Sequence, residues 1–267
     1  MTAASAAVTL ALGVLIGGVG TLIGSGGGFL LVPLLLLGYR FVPPTAAGTS
    51  LALVFLNAGS GSLAYLRQRR VDFSLGLKFA AATVPGAIGG AFVARALSSS
   101  SFSLVFGLVA VGMAVPLFLG RTVPPSRRAA RRQLVDTSGE SHEYRVDAWK
   151  GMLASLGVGF ISSALGIGGG IIHVPFLIVI LGLPVHVATA TSQFVLSISA
   201  GVGAATFLML GHMDLPTTAL MGAGIFVGAQ LGARVSLKTS GTVIRQILAI
   251  ALALVGIRMI IHGVGGL

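Results

Sequence analysis

Five residues, Gly24-Ser25-Gly26-Gly27-Gly28, interrupt an apolar run and lead into Phe29-Leu30-Leu31-Val32-Pro33. The same arrangement returns as Gly166-Ile167-Gly168-Gly169-Gly170 ahead of Ile171-Ile172-His173-Val174-Pro175. Glycine weakens a helix and leaves its backbone N–H and C=O groups uncovered, which in hydrocarbon is costly unless protein or a water-filled cavity covers them. Two copies of such a run require one shared explanation. Sliding the chain against itself so that Gly24 meets Gly166 shows how far the duplication reaches. Without a gap, Pro33 falls on Pro175, Thr49-Ser50 on Thr191-Ser192, Gly59 and Gly61 on Gly201 and Gly203, Asp72 on Asp214, and Gly86 and Gly90 on Gly228 and Gly232.

The medium is set by composition. Of 267 residues, 55% are hydrophobic and 9% charged, with a mean hydropathy of +1.00, too apolar to clothe a soluble surface. The chain therefore reads as an all-α integral membrane protein. Its apolar segments are continuous and rich in Ala, Leu and Gly, not alternating as barrel strands are. In the first half they run 6–23, 29–37, 46–66, 75–97 and 102–119, and in the second 149–165, 171–183, 187–210, 215–237 and 243–261. Three blocks follow: residues 1–120 as a first transmembrane repeat, 121–147 as a cytoplasmic linker, and 148–267 as a second repeat. The linker carries Pro124, Pro125, Arg127, Arg128, Arg131 and Arg132 together with most of the carboxylates.

The net charge of +11 sits in short loops, where it determines topology, so nucleic acid is not an expected partner. With no cysteine, thiolate, disulfide and iron–sulfur chemistry are excluded. Met1 to Ser5 lacks a basic n-region, so the first segment is read as retained. Loop charges orient the halves. Arg67-Gln68-Arg69-Arg70 follows the third segment, whereas its counterpart, Gly211-His212-Met213-Asp214, has no Lys or Arg; one loop later the bias reverses, Ser98 to Ser101 against Arg234, Lys238 and Arg245. If cations mark the cytoplasm, the repeats are inverted, the linker lies inside and both termini outside. Inversion needs an odd number of crossings per half, so the first two segments form a re-entrant hairpin of short helices with the glycines at its tip. Two such tips approach each other from opposite faces.

A glycine turn opening a helix presents free N–H groups and the positive end of the helix dipole with no side chain in the way, which suits a small anion. The competing view is that the glycines only allow helices to pack, but packing glycines are spaced by three or four and these are consecutive. The expected substrate-binding set is Gly26, Gly27, Gly28, Thr49, Ser50 and Asn57 from the first half, with Gly168, Gly169, Gly170, His173, Thr191, Ser192 and Gln193 from the second. Hydroxyls and amides are neutral donors to an oxyanion, though Ser and Thr also bond back to their own helix. Every carboxylate, Asp72, Asp136, Glu140, Glu143, Asp147 and Asp214, falls in a loop or the linker, which argues against a cation substrate or a buried Na⁺ site.

Catalysis has little support. A Walker loop needs Gly-Lys-Ser/Thr after the glycines, and a nucleophile elbow at Gly59-Ser60-Gly61 fails because Ala58 precedes Ser60 and Val202 replaces Ser60 in the repeat. No metal-ligand spacing stands out, and neither a cofactor nor a metal is expected.

The glycine-to-proline motif, Gly166 to Pro175 followed by Ala190-Thr191-Ser192, with its copy Gly24 to Pro33 followed by Gly48-Thr49-Ser50, resembles the sulfite exporter TauE/SafE family, also called the 4-toluene sulfonate uptake permease family. The resemblance covers nearly the whole chain except the linker. It implies a prokaryotic inner-membrane transporter of sulfite, a sulfonate or a related small anion, using the two glycine tips and the two Thr-Ser pairs. Ser25 departs from the apolar residue usual there. An alternating-access exporter is the leading expectation; an anion channel on the same repeats, or a carrier of another organic anion, is the alternative. The oligomeric state, a homo-oligomer included, is left open.

Overall fold

A computed structural model describes residues 3–94, 98–120 and 129–265; Leu97, Pro124, Pro125, Arg127 and Arg128 of the sequence reading lie outside them, as do Met1 and Thr2. The chain is an all-α membrane protein, with one small β-hairpin among the described residues. In order come α1 (Ala3–Leu22), α2 (Gly28–Pro33), α3 (Pro43–Arg67), α4 (Phe73–Ala94), α5 (Ser99–Leu119), β1 (Ala130–Val135), β2 (Ser141–Val146), α6 (Ala148–Ala164), α7 (Gly170–Pro175), α8 (Val185–Met209), α9 (Leu215–Ser236) and α10 (Gly241–Gly265). Six of these, α3, α4, α5, α8, α9 and α10, are long and apolar enough to cross a bilayer.

After α2 and α7 the helix continues as one wide π-turn each, Leu34–Gly38 and Phe176–Ile180. The cause is proline. Pro33 and Pro175 sit at the sixth helical position, beyond the first turn, so each removes an N–H that the helix would use. The ladder then widens, with the Tyr39 N–H donating to the Leu34 carbonyl at 3.1 Å and the Leu181 N–H to that of Phe176 at 3.2 Å. Even so extended, each second arm, Gly28–Gly38 or Gly170–Ile180, is about 16 Å long at 1.5 Å per residue, half of a bilayer core.

Packing exchanges the halves. α1 packs on α9 as α6 packs on α4, α3 meets α9 as α8 meets α4, and α5 with α10, α3 with α8 and α2 with α7 pair across the exchange. Glycines spaced by four bring backbones together: a Cβ on Gly228 would meet the Val14 carbonyl, and one on Gly86 the Leu156 carbonyl. The equivalent helices α3 and α8 run antiparallel, since Gly48 lies beside Phe207 and His212, and Gly61 beside Gln193.

The stretch read from sequence as a plain linker contains the hairpin. β1 and β2 pair antiparallel around the turn Asp136 to Glu140, with Tyr144 and Val146 turned inward and Arg145 outward. It is fastened to the helices. Arg132 donates to both carboxylate oxygens of Asp72 at 2.9 Å, the Tyr144 hydroxyl donates to Asp72 at 2.7 Å, and the Thr137 N–H donates to the Gln68 carbonyl at 3.1 Å. Arg70, almost fully buried, pairs with Asp136 at 3.3 Å and reaches the Ser236 carbonyl at the end of α9.

Candidate functional site

Both glycine tips fold the same way, and glycine is what allows it. Gly24, Gly26 and Gly27 take φ of 75°, 71° and 80°, and Gly166, Gly168 and Gly169 take 68°, 73° and 96°, a left-handed backbone that side chains disfavour. The turn consumes part of its own hydrogen bonding, with the N–H groups of Ser25 and Gly26 both donating to the Gly20 carbonyl and that of Ile167 to Ser162. Another part stays free. The N–H groups of Gly27, Gly28 and Phe29, and of Gly169, Gly170 and Ile171, meet no acceptor among the described residues.

The tips touch. A Cβ on Gly28 would fall on the backbone of Ile167, and one on Gly170 on the backbone of Ser25, the same contact seen from each half. They meet midway along the antiparallel pair: Gly26 faces Val54 and Leu196, and Gly168 faces Val54, the two side chains being repeat equivalents on α3 and α8. Residues Ile23 to Phe29 and Leu165 to Ile172 are buried throughout.

The tips meet apolar side chains, Ile16, Val54 and Leu196, with three uncharged polar ones, Thr189 beside Gly24, Gln193 beside Gly26 and Ser162 beside Gly169; further polar residues lie on α3 and α8. Thr49 and Thr191 have a structural partner, since the Thr49 hydroxyl oxygen accepts from the Asp214 N–H at 2.9 Å and that of Thr191 from the Asp72 N–H at 3.1 Å. Each thus ties the start of α9 or α4 to the other half's long helix and keeps its own proton for donation. The neighbouring Ser50 and Ser192 are fully buried, and their hydroxyls have no protein partner. The same holds for Ser25 in the first tip, and for Ser162 and Ser163 just before the second.

Asn57 and Gln193 form a network that crosses three helices. The Thr21 hydroxyl donates to Asn57 Oδ1 at 2.9 Å, the Gln193 amide donates to both Thr21 Oγ1 and Asn57 Oδ1 at 3.1 Å, and Asn57 donates to the Gly17 carbonyl. Tyr65 closes it by donating to the Thr21 carbonyl at 2.8 Å. Gln193 Oε1 remains unpartnered. In the other half the equivalent positions are Ser163, Ser199 and Leu51, so the network exists on one side only. His173 faces α6 and α4, its Nε2 3.3 Å from the Ser155 hydroxyl and its ring edge-on to Phe79. Thr21, Ser162 and Ser163 escaped the sequence reading, yet Thr21 and Ser163 coincide under the repeat slide, a pair of small hydroxyls that marks the place.

Charge is kept out. Among the described residues the buried charged side chains are Arg70, Asp72, Asp136 and Asp147, all in loops or the hairpin. Burial pushes the Asp136 carboxyl up, but hydrogen bonds from the Ser138 side chain and backbone, the Glu140 N–H and Arg70 outweigh it and hold the group well below the usual carboxylate range. Asp214 and Asp147 cap α9 and α6, accepting from Thr217 and Lys150.

Comparison with known proteins agrees with this architecture. A family model described as "Sulfite exporter TauE/SafE" matches residues 9–259. The "Probable membrane transporter protein YunE" of Bacillus subtilis is 33% identical over 96% of this chain and 98% of its own length. A probable membrane transporter protein of Methanocaldococcus jannaschii is 25% identical over 93% of each chain, and one of a Sinorhizobium species 26% identical over 89% of this chain and 86% of its own. No solved structure matches the chain.

Proposed function

Because the chain belongs to the sulfite exporter TauE/SafE family, we propose that this multi-pass membrane transporter carries a small sulfur-containing oxyanion, sulfite or a sulfonate, outward across a prokaryotic inner membrane. The observation that carries the reading is the meeting of the two glycine tips, each with free N–H groups, beside the buried hydroxyls of Ser25 and Ser162, which have no protein partner. Donors predominate in such a site, which favours negative charge, and the carboxylates next to its threonines are engaged elsewhere, Asp72 by Arg132 and Tyr144 and Asp214 by the Thr217 N–H. Gly26 to Gly28 and Gly168 to Gly170 supply backbone donors, and Ser50, Ser192 and the free protons of Thr49 and Thr191 supply hydroxyls. Asn57 and Gln193 position the first tip through Thr21, and His173 braces α7 against α6.

Two further features support inverted repeats with the linker inside. The equivalent helices α3 and α8 are antiparallel, and the cations of the Arg67–Arg70 loop gather at one end with those of the α9 terminus, where Gln68 bonds the Ala233 carbonyl. The tips are closed to both faces in this conformation, so alternating access requires the Thr49–Asp214 or the Thr191–Asp72 contact to part on the opening side. Outward movement of an anion gains about 2.3 kcal/mol per charge per 100 mV of inside-negative potential, so export needs no coupling ion. The test is flux of sulfite and sulfonates in proteoliposomes. Saturable movement lost in Ser50→Val or Ser192→Val supports the site, and flux indifferent to both removes it.

A further inference from the structure

Away from the glycine tips, the hairpin turn brings three metal-ligating side chains together within residues 136–142. Asp136 and Glu140 flank the hairpin turn and His142 follows on β2, and one ligand atom from each lies within 4.8 Å of the others. His142 Nε2 stands 3.6 Å from Asp136 Oδ2, while its Nδ1 is 3.9 Å from Glu140 Oε1. The His142 side chain is 6% exposed, and Nε2 has no hydrogen-bond partner although it points at the carboxylate. A second unpartnered nitrogen, Nδ1 of His186, comes from the start of α8, with the two imidazole rings 6.4 Å apart between centroids.

We infer that Asp136, Glu140 and His142 bind one transition-metal dication of the zinc type, with His186, which stands outside that close set, drawn in as the fourth ligand. Two imidazoles and two carboxylates are a nitrogen–oxygen set that tetrahedral zinc accepts. Bonds of about 2.1 Å bring ligand atoms to roughly 3.4 Å from one another, so the cluster must contract. Glu140, 59% exposed and free to swing, allows this. Arg70 Nε, 3.3 Å from Asp136 Oδ2, offsets one of the two negative charges and leaves one for the ion, which makes the site a labile one. An ion there joins the hairpin to α8, the helix that carries Thr191 and Ser192.

The test uses the full chain in detergent, without a polyhistidine tag and freed of metal with a chelator. Cobalt(II) is titrated in as a visible-absorbing probe, and zinc as its competitor. The expected result is intense tetrahedral absorption that saturates at one cobalt per chain, is displaced by zinc, and disappears in His142→Ala and in His186→Ala but persists in His262→Ala. Hydrogen exchange on the unaltered protein gives a check that needs no variant: zinc slows exchange in residues 136–142 and at the start of α8. Absence of saturable absorption, absorption that survives both substitutions, or zinc without effect on exchange in those two segments overturns it.

Discussion

The Ile167 carbonyl stands where the Cβ of any residue but glycine at position 28 would lie. Because Ser25 stands in the same relation to Gly170, each tip is the other's wall. Introducing a methyl group there forces backbone against backbone. Gly28→Ala and Gly170→Ala are each expected to destabilise the protein by about 1–3 kcal/mol and to suppress transport. Gly157→Ala, at a position with nothing within 4 Å, leaves both unchanged. Thermal unfolding in detergent, with flux measured in parallel, separates the three variants.

Thr191 and Thr49 bond the N–H groups of Asp72 and Asp214 across the repeat. Replacing Thr191 with valine keeps the shape and orphans a buried donor, at a cost of about 1–3 kcal/mol. Thr191→Ser restores most of the loss, and Thr49→Val reproduces it in the other half. Melting temperatures of the three variants decide the matter; valine variants as stable as the unaltered protein contradict the bonding described.

The buried pair Arg70–Asp136 holds the hairpin on the helices. Asp136→Ala leaves the guanidinium buried without its partner, and about 3–5 kcal/mol is the expected loss, less if Arg70 is replaced by methionine in the same chain. Its pH dependence has a fixed sign. The folded pKa of Asp136 is lowered below its unfolded value of about 3.9, so the stabilisation is fully present above that value and is lost as pH falls through the folded pKa. The melting difference between the unaltered protein and Asp136→Asn should stay flat from neutral pH to about 5 and shrink only below the unfolded value.

Asn57 accepts from both Thr21 and Gln193, so the three side chains act as one unit. Asn57→Leu strands Thr21 and Gln193 together, whereas Gln193→Leu installs what the other half already has at Leu51. The first variant is expected to be the more destabilising. A double-mutant cycle between the two positions should give a coupling of about 0.5–3 kcal/mol, and additive effects would contradict the network.

Much of this fold is written locally. The glycine tips, the spanning segments and the repeat are legible because composition and spacing encode them; a left-handed turn of three glycines can be read from the glycines themselves. What the sequence hides is long-range partnership. Thr49 and Thr191 look like free hydroxyls until the fold brings Asp214 and Asp72 against them, and Thr21 looks like any small residue near a helix end until Asn57 and Gln193 arrive from α3 and α8. The β-hairpin is hard to read locally because charged Arg131, Arg132, Glu143 and Arg145 dilute its alternation, and its inward Tyr144 and Val146 join the helical core, Tyr144 also bonding distant Asp72. Pro33 and Pro175 are plain in the sequence, but that they widen the helix after them shows only in the fold.

The most direct measurement is counterflow of ³⁵S-labelled sulfite into proteoliposomes loaded with unlabelled sulfite or a sulfonate. Saturable exchange is expected in the unaltered protein, with its loss in Gly28→Leu and Ser50→Val and its retention in Gly157→Ala. Absence of exchange with every sulfur oxyanion, or exchange that Gly28→Leu and Ser50→Val leave intact, would contradict it.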